Sequence, residues 1–181
     1  MQTLPSTVYL ALGTNLGDRR ANLAAAVVQL QTSMQIERIS SLYETAPAYV
    51  VDQPRFLNAA LRATTTLAPE ALLDALKQIE RALGRTTGLR NGPRLIDLDL
   101  LLYDDLVLAT ARLTLPHPRL AERPFVLVPL AEIAPTLRLP GFAQTVNELA
   151  TQVHGNGDVL ANIGRLQEPE TRSQEPGARS S

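Results

Sequence analysis

Leu95-Ile96-Asp97-Leu98-Asp99-Leu100-Leu101-Leu102-Tyr103 is the stretch whose reading decides the fold. Apart from its two aspartates the run is apolar throughout, and it has the length of a strand rather than a helix, so it predicts a central strand buried on both faces. Asp97 and Asp99 are two residues apart, a spacing that sends both side chains to one face of that strand. The rest of the chain must therefore provide strands to flank it, helices to cover it and positive charge to face the two acids.

Upstream, Pro69 opens a helix that stops at Gly84. Leu72, Leu73, Leu76, Ile79 and Leu83 lie in one arc of its wheel, and Glu80 falls inside that apolar arc. Before the helix come a strand from Phe56 to Thr66, an irregular proline-bounded loop from Thr45 to Pro54, and a strand from Ile36 to Tyr43. The first segment, Val8 to Leu12, is a short buried strand ending in Gly13-Thr14-Asn15-Leu16-Gly17-Asp18. Asp18 is placed to cap a helix carrying Leu23, Ala26, Val27, Leu30 and Met34 on one stripe. The turn lacks the spacing and lysine of a phosphate-binding P-loop, and Asn15 is read as bonding backbone.

Strand, helix, strand, strand, helix, strand is the order of an α+β ferredoxin-like βαββαβ core, an antiparallel sheet flanked by helices in an αβα sandwich. Downstream, Pro116, Pro118, Pro124, Pro129, Pro135 and Pro140 restrict the chain to short helices and turns, and Thr145 with Glu148 forms a capping-box pattern for a late helix. Residues 1–166 are expected to form one domain. The segment 167–181 has no apolar periodicity and is expected to be a disordered tail.

Composition narrows the chemistry. The chain has 181 residues, 45% hydrophobic, with a net charge of −1 and no cysteine. Any metal must then be held by oxygen or imidazole, and with two histidines in the chain oxygen is preferred. His154 is taken as incidental. No broad basic surface is available for nucleic acid, and no apolar run is long enough for a membrane span, so no nucleic-acid or membrane partner is expected. The expected location is cytoplasmic.

Two ionised carboxylates roughly 6 Å apart repel by about 3 kcal/mol at an effective dielectric near 20, before any cost of desolvation in an apolar strand. A hard divalent cation such as magnesium, carried by substrate phosphates, is one way to offset this. A purely structural pairing with arginines is the other. Arg81, Arg85, Arg90 and Arg94 lie between the helix and the acidic strand with no acid among them, and Gly84, Gly88 and Gly92 allow that loop to bend. Guanidinium forks match phosphate oxygens, which favours the first reading. Phe56 and Asn58 share one face of their strand and offer an aromatic plane beside an amide, suited to a flat heterocycle. His117, held between Pro116 and Pro118, is a candidate phosphate donor.

These residues resemble one family, the 6-hydroxymethyl-7,8-dihydropterin pyrophosphokinases of the folate pathway. The resemblance runs from about Val8 to Leu139. It is carried by Leu12-Gly13-Thr14-Asn15-Leu16-Gly17, Ser41 to Thr45, Asp52 to Asn58, Ile79-Glu80 to Gly84-Arg85, Gly92-Pro93-Arg94-Leu95-Ile96-Asp97-Leu98-Asp99 and Leu115-Pro116-His117-Pro118. It implies an enzyme acting on two small molecules, ATP and the pterin alcohol. Asp97, Asp99, Arg85 and Arg94 would be its catalytic residues, with Asp97 and Asp99 holding two Mg2+ ions that bridge the ATP phosphates. Phe56 and Phe125 would stack on the pterin, while Asn58, Asp97 and the backbone at Thr45, Ala46 and Ala48 meet its edge.

The same resemblance assigns Lys77, Arg85, Arg94, Arg112, His117 and Arg123 to the phosphates, ribose or closing loops of the nucleotide, and Leu100, Leu113 and Thr114 to the adenine. Lys77 stands where the family's better-known members have Gln, Asn91 stands where they have Trp, and the basic loop is one residue shorter. A monomer is expected. Two rival readings remain: a nucleotidyltransferase, which also uses an acid pair on a strand, and a non-catalytic ferredoxin-like RNA-binding module.

Overall fold

The computed structural model describes residues 4–86, 88, 90–153 and 159–166, and the predicted tail and His154 lie outside those residues. The chain begins with β1 (Ser6–Thr14), α1 (Arg19–Leu30), β2 (Gln35–Ile39), β3 (Tyr43–Thr45), β4 (Phe56–Thr65), α2 (Pro69–Ala82) and β5 (Asp97–Tyr103). It continues through a two-stranded ribbon of β6 (Leu108–Ala109) and β7 (Thr114–Leu115), a 3-10 turn at Leu120–Glu122, α3 (Pro124–Ile133), α4 (Val146–Val153) and β8 (Val159–Asn162). The main sheet runs β5-β1-β4-β3-β8, with β2 also paired to β4, and every pairing in it is antiparallel. This is the expected ferredoxin-like order, in which the first βαβ brackets a third strand.

Each face of the sheet has its own core. Leu10, Leu12, Leu57, Leu61, Leu98 and Leu100 pack with Leu23 and Leu30 of α1 and Leu72 and Leu76 of α2. On the opposite face, Tyr9, Ala60, Leu101 and Leu102 pack with Val126, Leu127 and Leu130 of α3 and Val146 and Leu149 of α4. The alternation along β1, β4 and β5 thus feeds two helical layers, the αβα arrangement read from sequence.

Three local expectations need correction. β5 is an edge strand, not a central one, and it starts at Asp97 rather than Leu95. It reads as central because both its faces are buried. On its open side the His117 N–H donates to the Leu101 carbonyl at 2.9 Å, so a loop does part of a neighbouring strand's work. The predicted strand from Ile36 to Tyr43 is two strands, β2 and β3, separated at Ser40–Leu42. At that break Ser40 Oγ accepts from the Ala60 N–H (2.9 Å), and the Glu132 carboxylate takes the N–H of Ser41 (2.9 Å), its hydroxyl (3.0 Å) and the Tyr43 hydroxyl (2.8 Å). The first helix ends at Leu30, ahead of Met34, although Met34 still joins the same core.

The end signals read from sequence are present. Asp18 accepts from the Ala21 N–H at 3.0 Å, and Thr145 and Glu148 exchange backbone-to-side-chain bonds at 2.7 and 3.3 Å. Pro129 sits inside α3 and is buried there. At the end of α2, Gly84 has φ +89°, the Gly84 N–H reaches the Arg81 carbonyl (3.0 Å) and the Arg85 N–H reaches the Glu80 carbonyl (3.0 Å). That pair of bonds is a Schellman cap, and it turns the chain so that Arg85 points back along the helix.

Gly84→Ala should lower stability by about 1–2 kcal/mol, because a side chain is strained at this φ and its Cβ would stand 3.3 Å from Leu95 Cδ1. Urea denaturation is the measurement. An unchanged midpoint would mean that the cap does not hold α2 in solution.

Candidate active site

β1 and β3 end, and β4 and β5 begin, at one end of the sheet, where a cleft of about 550 Å³ opens. α2 lines one wall with Lys77, Glu80 and Arg81, and the basic loop adds Arg85, Arg90 and Arg94. The other wall carries Thr45, Ala46, Ala48, Tyr49, Phe56 and Asn58, and the far side carries His117, Arg123 and Phe125. Asp97 and Asp99 lie on the floor between them. Residues from distant parts of the sequence that were assigned separately to phosphates and to a flat ring thus line one space.

The two aspartates have unequal surroundings. Asp97 Oδ1 is 2.5 Å from Arg85 Nη1, and its Oδ2 is 3.1 Å from Arg94 Nε. Burial pushes its carboxyl up, but Arg94 and Arg85 outweigh that and hold it below the usual carboxylate range. Among the described residues Asp99 has one ion-pair partner, Arg123 at 3.8 Å, with the charge of Lys77 acting from farther away. Burial, together with the charge of Asp97, pushes the Asp99 carboxyl up to about 6.

Behind the acids lies a buried carboxylate. The Glu80 side chain is 4% exposed, and its Oε1 accepts from Arg85 Nη1 at 2.7 Å and from the Leu98 N–H at 2.8 Å, while Lys77 Nζ lies 3.0 Å from Oε2.

At the aromatic end, Asn58 Nδ2 donates to Thr45 Oγ1 at 2.6 Å. A Cβ on Gly13 would stand 2.9 Å from Asn58 Oδ1, so the amide keeps its place because the neighbouring strand has no side chain there. The Arg94 guanidinium lies 5.1 Å from the Phe56 ring centroid, and that of Arg123 lies 5.6 Å from the Phe125 ring. Arg123 Nε also donates to the Tyr49 hydroxyl at 3.0 Å, and Arg119 stacks on the same ring at 4.4 Å.

The Arg119 N–H donates to His117 Nδ1 at 3.2 Å, which leaves the ring proton on Nε2. Burial and the charge of Arg123 push the His117 imidazole down to about 4, so it is a neutral donor at pH 7.

Asn15 joins the parts. It is 3% exposed, and its Nδ2 donates to Gln53 Oε1 and to the Pro54 carbonyl, both at 2.9 Å. Its Oδ1 takes the Arg94 N–H at 2.8 Å, and its own N–H donates to the Arg94 carbonyl at 3.1 Å. Backbone bonding was expected of Asn15; that the partners come from two functional loops was not.

Of the residues assigned from sequence, Lys77, Arg85, Arg94, Asp97, Asp99, His117 and Arg123 meet in the cleft with Thr45, Ala46, Ala48, Phe56, Asn58 and Phe125. Leu100, Arg112, Leu113 and Thr114 do not line it. Leu100 and Leu113 are buried in the first core, and Arg112 pairs outside with Asp74 and Glu70 of α2. Sequence reasoning gave no site role to Glu80, Gln53 or Tyr49. For Glu80 the signal was present, a charge within an apolar arc. Tyr49 carried none.

A cleft lined by arginines around an acid pair that also presents aromatic planes, on a ferredoxin-like sheet, fits a small-molecule group-transfer domain more readily than a nucleic-acid module. The sequence model of the 7,8-dihydro-6-hydroxymethylpterin-pyrophosphokinase (HPPK) family matches residues 9–135, and the chain belongs to that family.

It is 41% identical over 143 residues to the 2-amino-4-hydroxy-6-hydroxymethyldihydropteridine pyrophosphokinase of Aquifex aeolicus, covering 79% of this chain and 89% of that one. It is 53% identical over 137 residues to the mitochondrial folate synthesis bifunctional protein of Pisum sativum, covering 75% of this chain and 27% of that one. The chain therefore spans about a quarter of the length of such bifunctional relatives. The crystal structure of Plasmodium falciparum HPPK-DHPS superposes with a TM-score of 0.68 at 15% identity, over 82% of this chain and 45% of that one, a likeness of fold.

The unequal aspartates predict opposite effects of one chemical change. Asp99→Asn should raise the Tm of the ligand-free protein by several degrees at pH 7, because both folded and unfolded carboxyls are then ionised and the folded one carries the cost. That gain should fade as pH falls from about 6 toward 4, where the folded Asp99 keeps its proton. Asp97→Asn should lower Tm at pH 7 and lose its effect as pH falls, since Arg85 and Arg94 stabilise the ionised form. Thermal melts across pH check both signs, and equal shifts for the two variants would contradict the unequal settings.

Proposed function

We propose that this chain transfers a diphosphate from ATP to the hydroxymethyl oxygen of 6-hydroxymethyl-7,8-dihydropterin, giving AMP and the pterin diphosphate, in folate synthesis. One observation carries the reading: a single cleft holds an acid pair ringed by arginines at one end and two phenylalanines with a fixed amide at the other. Family membership agrees with it. A cytoplasmic, monomeric enzyme belongs to the same proposal. Among the described residues no helix is long and apolar enough to cross a membrane.

Magnesium fits the donor set. Among the described residues no group of three or more acidic, histidine or cysteine side chains is gathered to hold a metal alone. Asp97 and Asp99 offer two carboxylates on one face of β5, and a small hard ion that keeps water and phosphate oxygens in its shell suits so sparse a site. When bound there, two Mg2+ ions would neutralise phosphate charge between the aspartates and the nucleotide.

The protein's own groups do the rest. Arg85, Arg94 and Arg123 bind and orient the phosphate chain, with Lys77 beside them. His117 donates its Nε2 proton to a phosphate oxygen as a neutral group. Phe56 and Phe125 hold the pterin ring between their faces, and Asn58 with the backbone at Thr45, Ala46 and Ala48 fixes its edge, so the hydroxymethyl group points at the acids. The hydroxymethyl oxygen attacks the β-phosphorus in line, the bond from that phosphorus to the α,β-bridging oxygen breaks, and AMP leaves. Asp97 or Asp99 accepts the hydroxyl proton, in competition with its role as a metal ligand. Positioning and charge stabilisation supply most of the rate.

Incubation with ATP, magnesium and the pterin alcohol should yield AMP, with no free pyrophosphate. Asp97→Ala and Asp99→Ala should each cut turnover by at least roughly 1,000-fold while the protein stays folded by circular dichroism. Release of pyrophosphate would instead support nucleotidyl transfer, and near-normal turnover by either variant would remove the acid pair from the mechanism.

A further inference from the structure

Glu80 is the one acid in the apolar arc of α2, and the mechanism above does not use it. Its carboxylate is buried at 4% exposure, yet three donors converge on it: Lys77 Nζ, Arg85 Nη1 and the backbone N–H of Leu98. Leu98 lies between Asp97 and Asp99, and among the described residues β5 has a strand partner only in β1. On its other side the amide between the two acids is held by a side chain, not by a strand. Oε1 alone bonds both the Leu98 N–H and Arg85, and Arg85 in turn bonds Asp97.

We infer that Glu80 is a positioning residue for the phosphate-transfer site, setting the direction of the aspartate pair through the Leu98 amide and aiming Arg85 and Lys77 through charge. This inference rests on the diphosphate-transfer reading.

The mechanics follow from geometry. A strand whose side chains alternate can offer both acids to the cleft only while its backbone holds one twist, and an edge strand has half the usual ladder to enforce that. Glu80 supplies the missing restraint from the helix that walls the cleft. Because the same oxygen holds Arg85, a shift of β5 and a shift of the guanidinium are not independent. A longer-reaching or uncharged partner at position 80 would keep the helix packed and release the arginine. Groups outside the reacting centre that orient charged ligands in this way change activity by roughly 10- to 100-fold.

The experiment uses the full chain. Glu80→Gln keeps the shape and an oxygen for the Leu98 N–H but removes the charge. It should lower kcat/KM for ATP by roughly 10- to 100-fold, with the Tm and the affinity for the pterin alcohol alone near those of the unaltered protein. In an Arg85→Ala background the same substitution should cost less than about threefold, because part of its action is already lost.

A full, multiplying cost in that background, or wild-type kinetics for Glu80→Gln, would overturn the inference. If the variant does not fold, amide exchange of the unaltered protein decides. The Leu98 amide should exchange as slowly as the β5 amides bonded to β1, and exchange at the rate of an open edge would defeat the proposal. An unaltered protein that makes no AMP defeats the diphosphate-transfer reading instead, and the exchange result stands apart from it.

Discussion

Everything at the cleft follows from two like charges placed on one face of an otherwise apolar strand. The protein resolves that repulsion on one side only. Asp97 receives two guanidinium groups and is stabilised as an anion, whereas Asp99 sits beside that anion with a more distant arginine and is held as a poorer one. The asymmetry is a property of the elements that carry the arginines. Arg85 is delivered by the Schellman turn at Gly84 and Arg94 by the segment leading directly into β5, while Arg123 arrives from the far side of the sheet, just ahead of α3. The ligand-free fold does not gain stability from the second acid at neutral pH, so its presence is a cost to the fold.

The ferredoxin-like order makes the site possible because its strands bring four chain segments to one end of the sheet. The end of β1, the end of β3, and the starts of β4 and β5 meet there, and each contributes a loop or a first residue to the cleft. Such a site would be loose if each segment moved separately. Asn15 prevents this by bonding the loop before β4 and the backbone of Arg94 with one amide side chain. A short turn with no phosphate-binding features is thereby a structural hinge-pin between the aromatic and the anionic halves.

Much of this was legible in the sequence because it rests on periodicity and local chemistry. The two-residue spacing of Asp97 and Asp99, the arc of leucines in α2, the cap at Asp18 and the Thr145–Glu148 box are all statements about residues near one another in the chain. What could not be read depends on long-range partners. The edge position of β5 was hidden because α-helical layers cover both of its faces, and burial alone does not tell edge from centre. The break at Ser40–Leu42 depends on Glu132, some ninety residues away, whose carboxylate takes over backbone and hydroxyl donors that a continuous strand would pair otherwise. Tyr49 lies in a loop with no periodicity, and its place is fixed by the two arginines that flank the 3-10 turn. Arg112, Leu113 and Thr114 were assigned by likeness rather than by geometry, and the described cleft ends before it reaches them.

The two halves of the cleft are further joined by sharing their cations. Arg94 has its Nε at Asp97 and its guanidinium over Phe56, and Arg123 has a terminal nitrogen near Asp99 and its guanidinium over Phe125. Each acid is thus linked through one arginine to one aromatic ring. A guanidinium has one plane and a limited reach, so it cannot cover a ring face, hold a carboxylate and grip a phosphate with full strength at once. An anion that drew either guanidinium toward itself would therefore uncover part of the ring beneath it. Competition among the contacts of two arginines is thus enough to tie the two halves of the cleft together without a moving subdomain.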